Sequence, residues 1–170
     1  MPEPPKKVNS PNLHNPANIQ EKQQQLQTST DKTVMSNEPP LEITKRIVNT
    51  ITGLKSLAAY PIRDLVKHAE EFGPYLKQQR LETNQVRKFL DAVNQMKVTL
   101  AQKNDFSKIE TEVVLLKPKL AYAAARQKAA KPMSEVMSAA IDKVHSTEDF
   151  KCLVQLIESI IAYHKAEGGK

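Results

Sequence analysis

The sequence has few of the residues on which β-rich folds and disulfide-bonded domains depend. Its 170 residues include four glycines, no tryptophan and one cysteine, Cys152. Because an all-β fold needs many tight turns and is enriched in aromatic residues, this composition favours helix packing over a sandwich or a barrel. A lone cysteine cannot form an intrachain disulfide, so we interpret Cys152 as a small buried side chain in a reducing compartment.

Long apolar runs are also missing. No stretch approaches the roughly 18 apolar residues that a membrane-spanning helix requires. Residues 1–7 lack the apolar centre of a signal peptide. We therefore expect a soluble, cytoplasmic protein without a membrane partner.

The residue patterns of catalytic and metal sites are absent as well. There is no glycine-rich phosphate loop, and no histidine has a Cys or a second His at the spacing of a metal pair. The four histidines are His14, His68, His145 and His164. Neighbours such as Glu148 and Asp149 point about 100° apart on a helix, which suits solvated or capping charges. We expect no enzymatic activity, no metal and no cofactor; an enzyme that uses Cys152 or His164 is the least favoured alternative.

Residues 1–40 differ in composition from the rest of the chain. They hold seven of the eleven prolines, many Gln, Asn, Ser and Thr residues, and equal numbers of basic and acidic side chains. Their few apolar residues follow no sustained period, and such a segment cannot bury enough surface to offset its chain entropy. We predict a disordered Pro/Gln-rich tail or linker over residues 1–40 and a helical domain over residues 41–170.

From Leu41 onwards, apolar residues recur at helical spacing. The first apolar stripe predicts a helix that reaches Ala58, with Pro61 stopping it or opening the next helix. Gly73-Pro74 is expected to end or kink the second helix, and Pro118 to kink or break the fourth, because a proline removes a backbone hydrogen bond. The expected later starts or caps are at Thr83 or Asn84, Asp105, Pro132, and Ser146 or Thr147. The predicted fold is all-α, a compact bundle of five to six helices.

The excess of positive charge lies in the helical part. Residues 41–170 hold 21 of the 25 basic and 15 of the 19 acidic side chains, and so carry the whole net charge of +6. Within residues 115–131 there are five basic residues and no acid, among several alanines. Long cations beside a shallow alanine surface suit a polyphosphate backbone. The five are Lys117, Lys119, Arg126, Lys128 and Lys131.

Two interpretations of Tyr122 remain open. It lies one helical turn from both Lys119 and Arg126, so its ring can stack on a base or a ribose while its hydroxyl meets a phosphate. Alternatively, Tyr122 belongs to the core and the alanines around it form a close contact between helices. A second basic feature, Arg87-Lys88, lies in the first turns of a helix, where cations oppose the helix dipole unless they meet an external anion.

Three stretches of the sequence resemble, in matching order, motifs of one family. They are LETNQVRKF (81–89), LLKPKLAYAAAR (115–126) and ESIIAYHKAEGGK (158–170). The family is the small subunit of type III-A (Csm-type) CRISPR effector complexes, and the resemblance spans roughly residues 62 to 170. The tail before residue 41 and Gly73-Pro74 depart from the family's pattern.

The resemblance implies a non-catalytic structural subunit that acts in antiviral defence. It implies a helical bundle that stacks along crRNA and its target RNA as a minor filament, contacting the RNA backbone, other CRISPR effector subunits and further copies of itself. The motif matches, with Tyr122 added from its spacing, give the expected RNA-binding residues Arg87, Lys88, Lys117, Lys119, Tyr122 and Arg126. The alternative is a helical protein-interaction adaptor whose basic face docks an acidic partner.

Overall fold

The computed structural model describes residue 2 and residues 40–168. Six α-helices lie in that part of the chain: α1 (Pro40–Gly53), α2 (Ile62–Gln78), α3 (Thr83–Lys103), α4 (Ser107–Arg126), α5 (Lys131–Ile141) and α6 (Thr147–Ala166). Two 3-10 segments, Leu57–Ala59 and Lys128–Ala130, join them, and no strand occurs among the described residues. The predicted all-α bundle of five to six helices is confirmed. The tail predicted over residues 1–40 lies outside the described residues apart from Pro2 and Pro40, and stays a prediction.

The core is centred on α6, which packs against α2, α3 and the Leu57–Ala59 segment, while α5 packs between α1 and α4. From α6, the side chains of Leu153, Leu156, Ile157 and Ile160 are at most 1% exposed. Each such aliphatic side chain contributes about 1.5–3 kcal/mol by leaving water. None of the described helices is long and apolar enough to cross a membrane.

The first helix is shorter than its apolar stripe predicts. α1 ends at Gly53, and Ala58 lies exposed in the 3-10 segment, so the predicted extension of the helix to Ala58 is wrong. The reason is tertiary: Leu57 is fully buried, and its backbone N–H donates to the carbonyl of Lys143 at 2.9 Å. Pro61 is the N-cap of α2, as expected of a residue that opens the next helix.

Both interior prolines lie within continuous helices. α2 continues through Pro74 and α4 continues through Pro118, so neither helix ends at its proline. The other expected outcome, a kink at each proline, stays a prediction. A proline removes one backbone hydrogen bond, but it does not end a helix when packing beyond it favours the helical path. Beyond Pro74, Tyr75 and Leu76 are buried, and beyond Pro118, Leu120 is buried.

Gly73 allows α2 to approach α6 more closely than any other residue would. A Cβ atom added at Gly73 would lie 2.6 Å from the backbone nitrogen of His164 and 2.7 Å from the Cβ atom of Tyr163. Both distances are too short for a real contact, so the absence of a side chain fixes the spacing of these two helices.

Candidate nucleic-acid interface

A groove of about 650 Å³ lies between the first half of α3 and the second half of α4. The two helices follow each other along the chain and run antiparallel, so the start of α3 lies beside the end of α4. Phe89, Leu116 and Leu120, all largely buried, form its apolar base together with the small side chains of Ala92 and Ala123. We call this feature the α3–α4 groove.

Four of the six residues predicted to bind RNA line the α3–α4 groove. They are Lys88, Lys119, Tyr122 and Arg126. All four side chains are exposed. Lys88 reaches the groove from α3 and the other three reach it from α4, so two separate sequence motifs contribute to one concave surface. Among the residues that line the groove, Glu82 is the only acid.

Tyr122 is a surface residue. Its relative exposure is 64%, so the interpretation of Tyr122 as a core residue is wrong. The guanidinium of Arg126 lies 5.6 Å from the centre of the Tyr122 ring, and its N–H group donates to the tyrosine hydroxyl at 3.4 Å. A planar cation and an aromatic ring are the side chains on which bases and riboses stack. Of the alanines around Tyr122, Ala121 and Ala125 are exposed, whereas Ala123 and Ala124 are half-buried.

Lys117 and Arg87 do not line the α3–α4 groove. The ammonium group of Lys117 donates to the carboxylate of Asp142 at 2.5 Å, which ties α4 to the residue that follows α5. Both side chains of this pair are more than a third exposed, and such pairs contribute about 0–1 kcal/mol. Arg87 is exposed in the second turn of α3. The structure therefore divides the six predicted residues into a group of four and two that lie apart.

Two glutamines of the groove were not singled out by the sequence. Gln85, in the first turn of α3, and Gln127, the residue that follows α4, both line the α3–α4 groove. The side-chain oxygen of each is buried and has no hydrogen-bond partner. Gln85 falls inside the first family-like motif, but a glutamine in a helix gives no signal of its surroundings, so only the fold identifies these two residues.

The residues of the least favoured enzymatic alternative lie in the core. His164 is 1% exposed, its Nε2 atom lies 3.1 Å from the carbonyl oxygen of Leu81, and burial lowers the pKa of its imidazole. Cys152 is 7% exposed, and burial raises the pKa of its thiol. Both residues lie on α6, about 18 Å apart along the helix at 1.5 Å per residue. They therefore do not form a nucleophile–base pair. Within residues 40–168, no cluster of His, Cys, Asp and Glu is arranged to hold a metal ion.

Comparison with known protein families gives a match that covers this interface. The protein-family model described as Csm2 Type III-A matches residues 59–170, a range that includes α2 to α6 and the whole α3–α4 groove. Searches among curated proteins and among solved structures found no significant match. Because the family match covers well over half of the chain, this protein belongs to the Csm2 Type III-A family, the small subunit of the type III-A Csm complex.

Proposed function

We propose that this chain is a non-catalytic structural subunit of the CRISPR effector complex, in the cytoplasm, and that its α3–α4 groove binds the backbone of crRNA and its target RNA. Membership of the Csm2 Type III-A family supports the place in the complex. The observation that supports the proposal of RNA binding is that four of the predicted residues line one groove: Lys88, Lys119, Tyr122 and Arg126. Other effector subunits and further copies of the chain are the proposed protein partners.

The chemistry of the groove suits a sugar-phosphate backbone. Lys88, Lys119 and Arg126 are exposed around an apolar base, so phosphates can meet the cations while a ribose or a base face covers the apolar surface. Phosphate contacts carry no sequence information, which suits a subunit that must accept any guide sequence. Few phosphates are met per copy, so tight binding would come from several copies acting together.

The test is a double charge reversal, Lys119→Glu with Arg126→Glu. Binding of single-stranded RNA oligonucleotides of several unrelated sequences is measured by fluorescence anisotropy over a range of salt concentrations. We expect the variant to bind all sequences more weakly by the same factor. The log–log dependence of affinity on salt should become shallower, by about 0.7 for each phosphate that the variant no longer neutralises.

The matched control reverses two charges at the opposite end of the same helices, Lys103→Glu with Lys108→Glu. Both side chains are exposed, and neither lines the α3–α4 groove. The control should keep the salt dependence of the unmodified chain. If the groove variant keeps it too, or if both variants lose affinity equally, the groove does not bind the backbone.

The adaptor alternative predicts a different result. An acidic protein partner would then remain bound to the chain after nuclease treatment, and the Lys119→Glu/Arg126→Glu variant would lose that partner without any change in RNA affinity. A pull-down with and without nuclease, followed by mass measurement of the bound components, separates the two functions.

A further inference from the structure

One end of the α3–α4 groove contains two hydrogen-bond acceptors without donors. The first turn of α3 contributes Gln85 and the end of α4 contributes Gln127, and the side-chain oxygens of both are buried and unpaired. A buried acceptor without a donor is destabilising, and nearly all buried polar groups in proteins are therefore hydrogen-bonded. The other buried side-chain atoms without partners in residues 40–168 belong to Thr44, Thr83 and His164, none of which lines this groove.

Because the two glutamine oxygens have no donor, a ligand that pairs with them must supply hydrogen-bond donors. Phosphate oxygens are acceptors, so they can pair with Lys88 and Arg126 but cannot donate to an amide oxygen. The donor must come from another part of the ligand. In an RNA chain, each ribose carries a 2′-hydroxyl group next to the phosphates, and this group donates as well as accepts hydrogen bonds. It is present in every nucleotide, whereas donors on the bases vary with the sequence.

We infer that Gln85 and Gln127 are specificity-determining residues that accept hydrogen bonds from ribose 2′-hydroxyl groups and so make the α3–α4 groove select RNA over DNA. The inference rests on the proposed function and deepens it: the cations bind the phosphates, which RNA and DNA share, and the two amides distinguish the sugars. Each glutamine has three side-chain torsions with which to turn its oxygen towards a ribose. The new hydrogen bond relieves an acceptor that the free protein leaves unpaired.

The test uses the full chain and three oligonucleotides of one sequence: RNA, RNA with 2′-fluoro sugars, and DNA. The 2′-fluoro sugar keeps the pucker of RNA but has no hydroxyl to donate, so it separates the hydrogen bond from the shape of the chain. We expect RNA to bind about 2- to 10-fold more tightly than the 2′-fluoro strand for each hydroxyl contacted. Equal affinities for these two strands would overturn the inference without any variant.

The variants Gln85→Met and Gln127→Met keep the length of the side chain and remove the amide. In the double variant, the ratio of RNA to 2′-fluoro affinities should fall towards one while the affinity for DNA is unchanged. The control Gln95→Met changes an exposed glutamine of α3 that does not line the groove, and it should keep the ratio of the unmodified chain. A ratio that persists in the double variant overturns the inference.

The outcomes also distinguish this inference from the function on which it rests. If Lys119→Glu/Arg126→Glu weakens binding and flattens its salt dependence while the two methionine substitutions change nothing, the groove binds the backbone and the glutamines do not read the sugar. If the charge reversal leaves salt-dependent binding unchanged, the proposed function itself fails and the inference fails with it.

Discussion

The α2–α6 contact and the α3–α4 groove are both formed where two helices meet. The contact depends on a residue without a side chain, whereas the groove carries long, exposed side chains. At the α2–α6 contact, Gly73 has no side chain, so the backbones of the two helices lie close together, and His164 is buried. At the second, the helices leave a groove whose margin carries exposed cations and Tyr122. The first site belongs to the core and the second is the proposed binding surface, so substitutions should separate stability from binding.

The largest effect should come from placing a methyl group at the α2–α6 contact. In Gly73→Ala the new Cβ lies within 3 Å of the backbone of α6, and relief requires the helices to shift. We expect a loss of about 1–3 kcal/mol or more in the free energy of unfolding, measured by chemical denaturation.

Gly53→Ala is the control for this substitution. A Cβ at Gly53 meets no atom within 4 Å, and alanine reduces the entropy of the unfolded chain, so its stability should be unchanged or slightly raised. A Gly73→Ala protein as stable as Gly53→Ala would show that the α2–α6 spacing is adjustable.

A smaller effect at the same contact depends on pH. Burial holds the pKa of His164 below its usual value of 6.5, so between that value and the folded-state pKa the unfolded chain binds more protons than the folded one. The contribution of His164 is fully present above pH 6.5 and is lost as pH falls through the folded pKa, at up to about 1.4 kcal/mol per pH unit.

The measurement compares the pH profile of unfolding free energy in the unmodified chain and in His164→Gln. The variant should show a smaller decline between pH 6.5 and 5. The pKa of His68 is also lowered by burial, so part of the decline should remain in both proteins. Identical slopes would contradict a neutral, buried His164.

The smallest effect on stability is expected at the groove. Tyr122→Ala removes an exposed ring and its contact with Arg126, which should change the free energy of unfolding by less than about 1 kcal/mol. RNA affinity should fall by about 1–3 kcal/mol for a base stacked on the ring.

Tyr122→Phe keeps the ring and serves as the control, so it should lose less RNA affinity than Tyr122→Ala. If Tyr122→Ala destabilises the fold as much as Gly73→Ala, the groove and the α2–α6 contact do not differ in their importance for stability, and the comparison fails.

The helical fold was predictable because apolar spacing reports burial directly. The stripe of α6, with Leu153, Ile157 and Ile160, is buried as its period predicts. The sequence left open whether each interior proline ends its helix or only kinks it. The outcome depends on the packing beyond the proline, at Leu76 and at Leu120. That packing is a property of the whole fold and not of the local sequence.

The candidate site was predictable in part. Lys119, Tyr122 and Arg126 share a helix face, so their grouping follows from spacing alone. The addition of Lys88 required the antiparallel pairing of α3 with α4, and the separation of Lys117 required Asp142 to lie nearby. The unpaired amides of the groove depend on which donors surround each side chain, and no spacing rule in the sequence contains that information.

Pro118 lies near the middle of α4, between Leu116 and Lys119, which both line the groove. The proline has no backbone N–H, so the carbonyl of Val114 loses the helical donor that another residue at position 118 would supply. The last two turns, with Lys119 and Arg126, are thus joined to the rest of the helix by one hydrogen bond fewer. Their amides should exchange with solvent through a lower-energy local opening than those of the preceding turns. The end of α4 that carries Lys119 and Arg126 should therefore adjust to a bound strand more readily than the turns that precede Pro118.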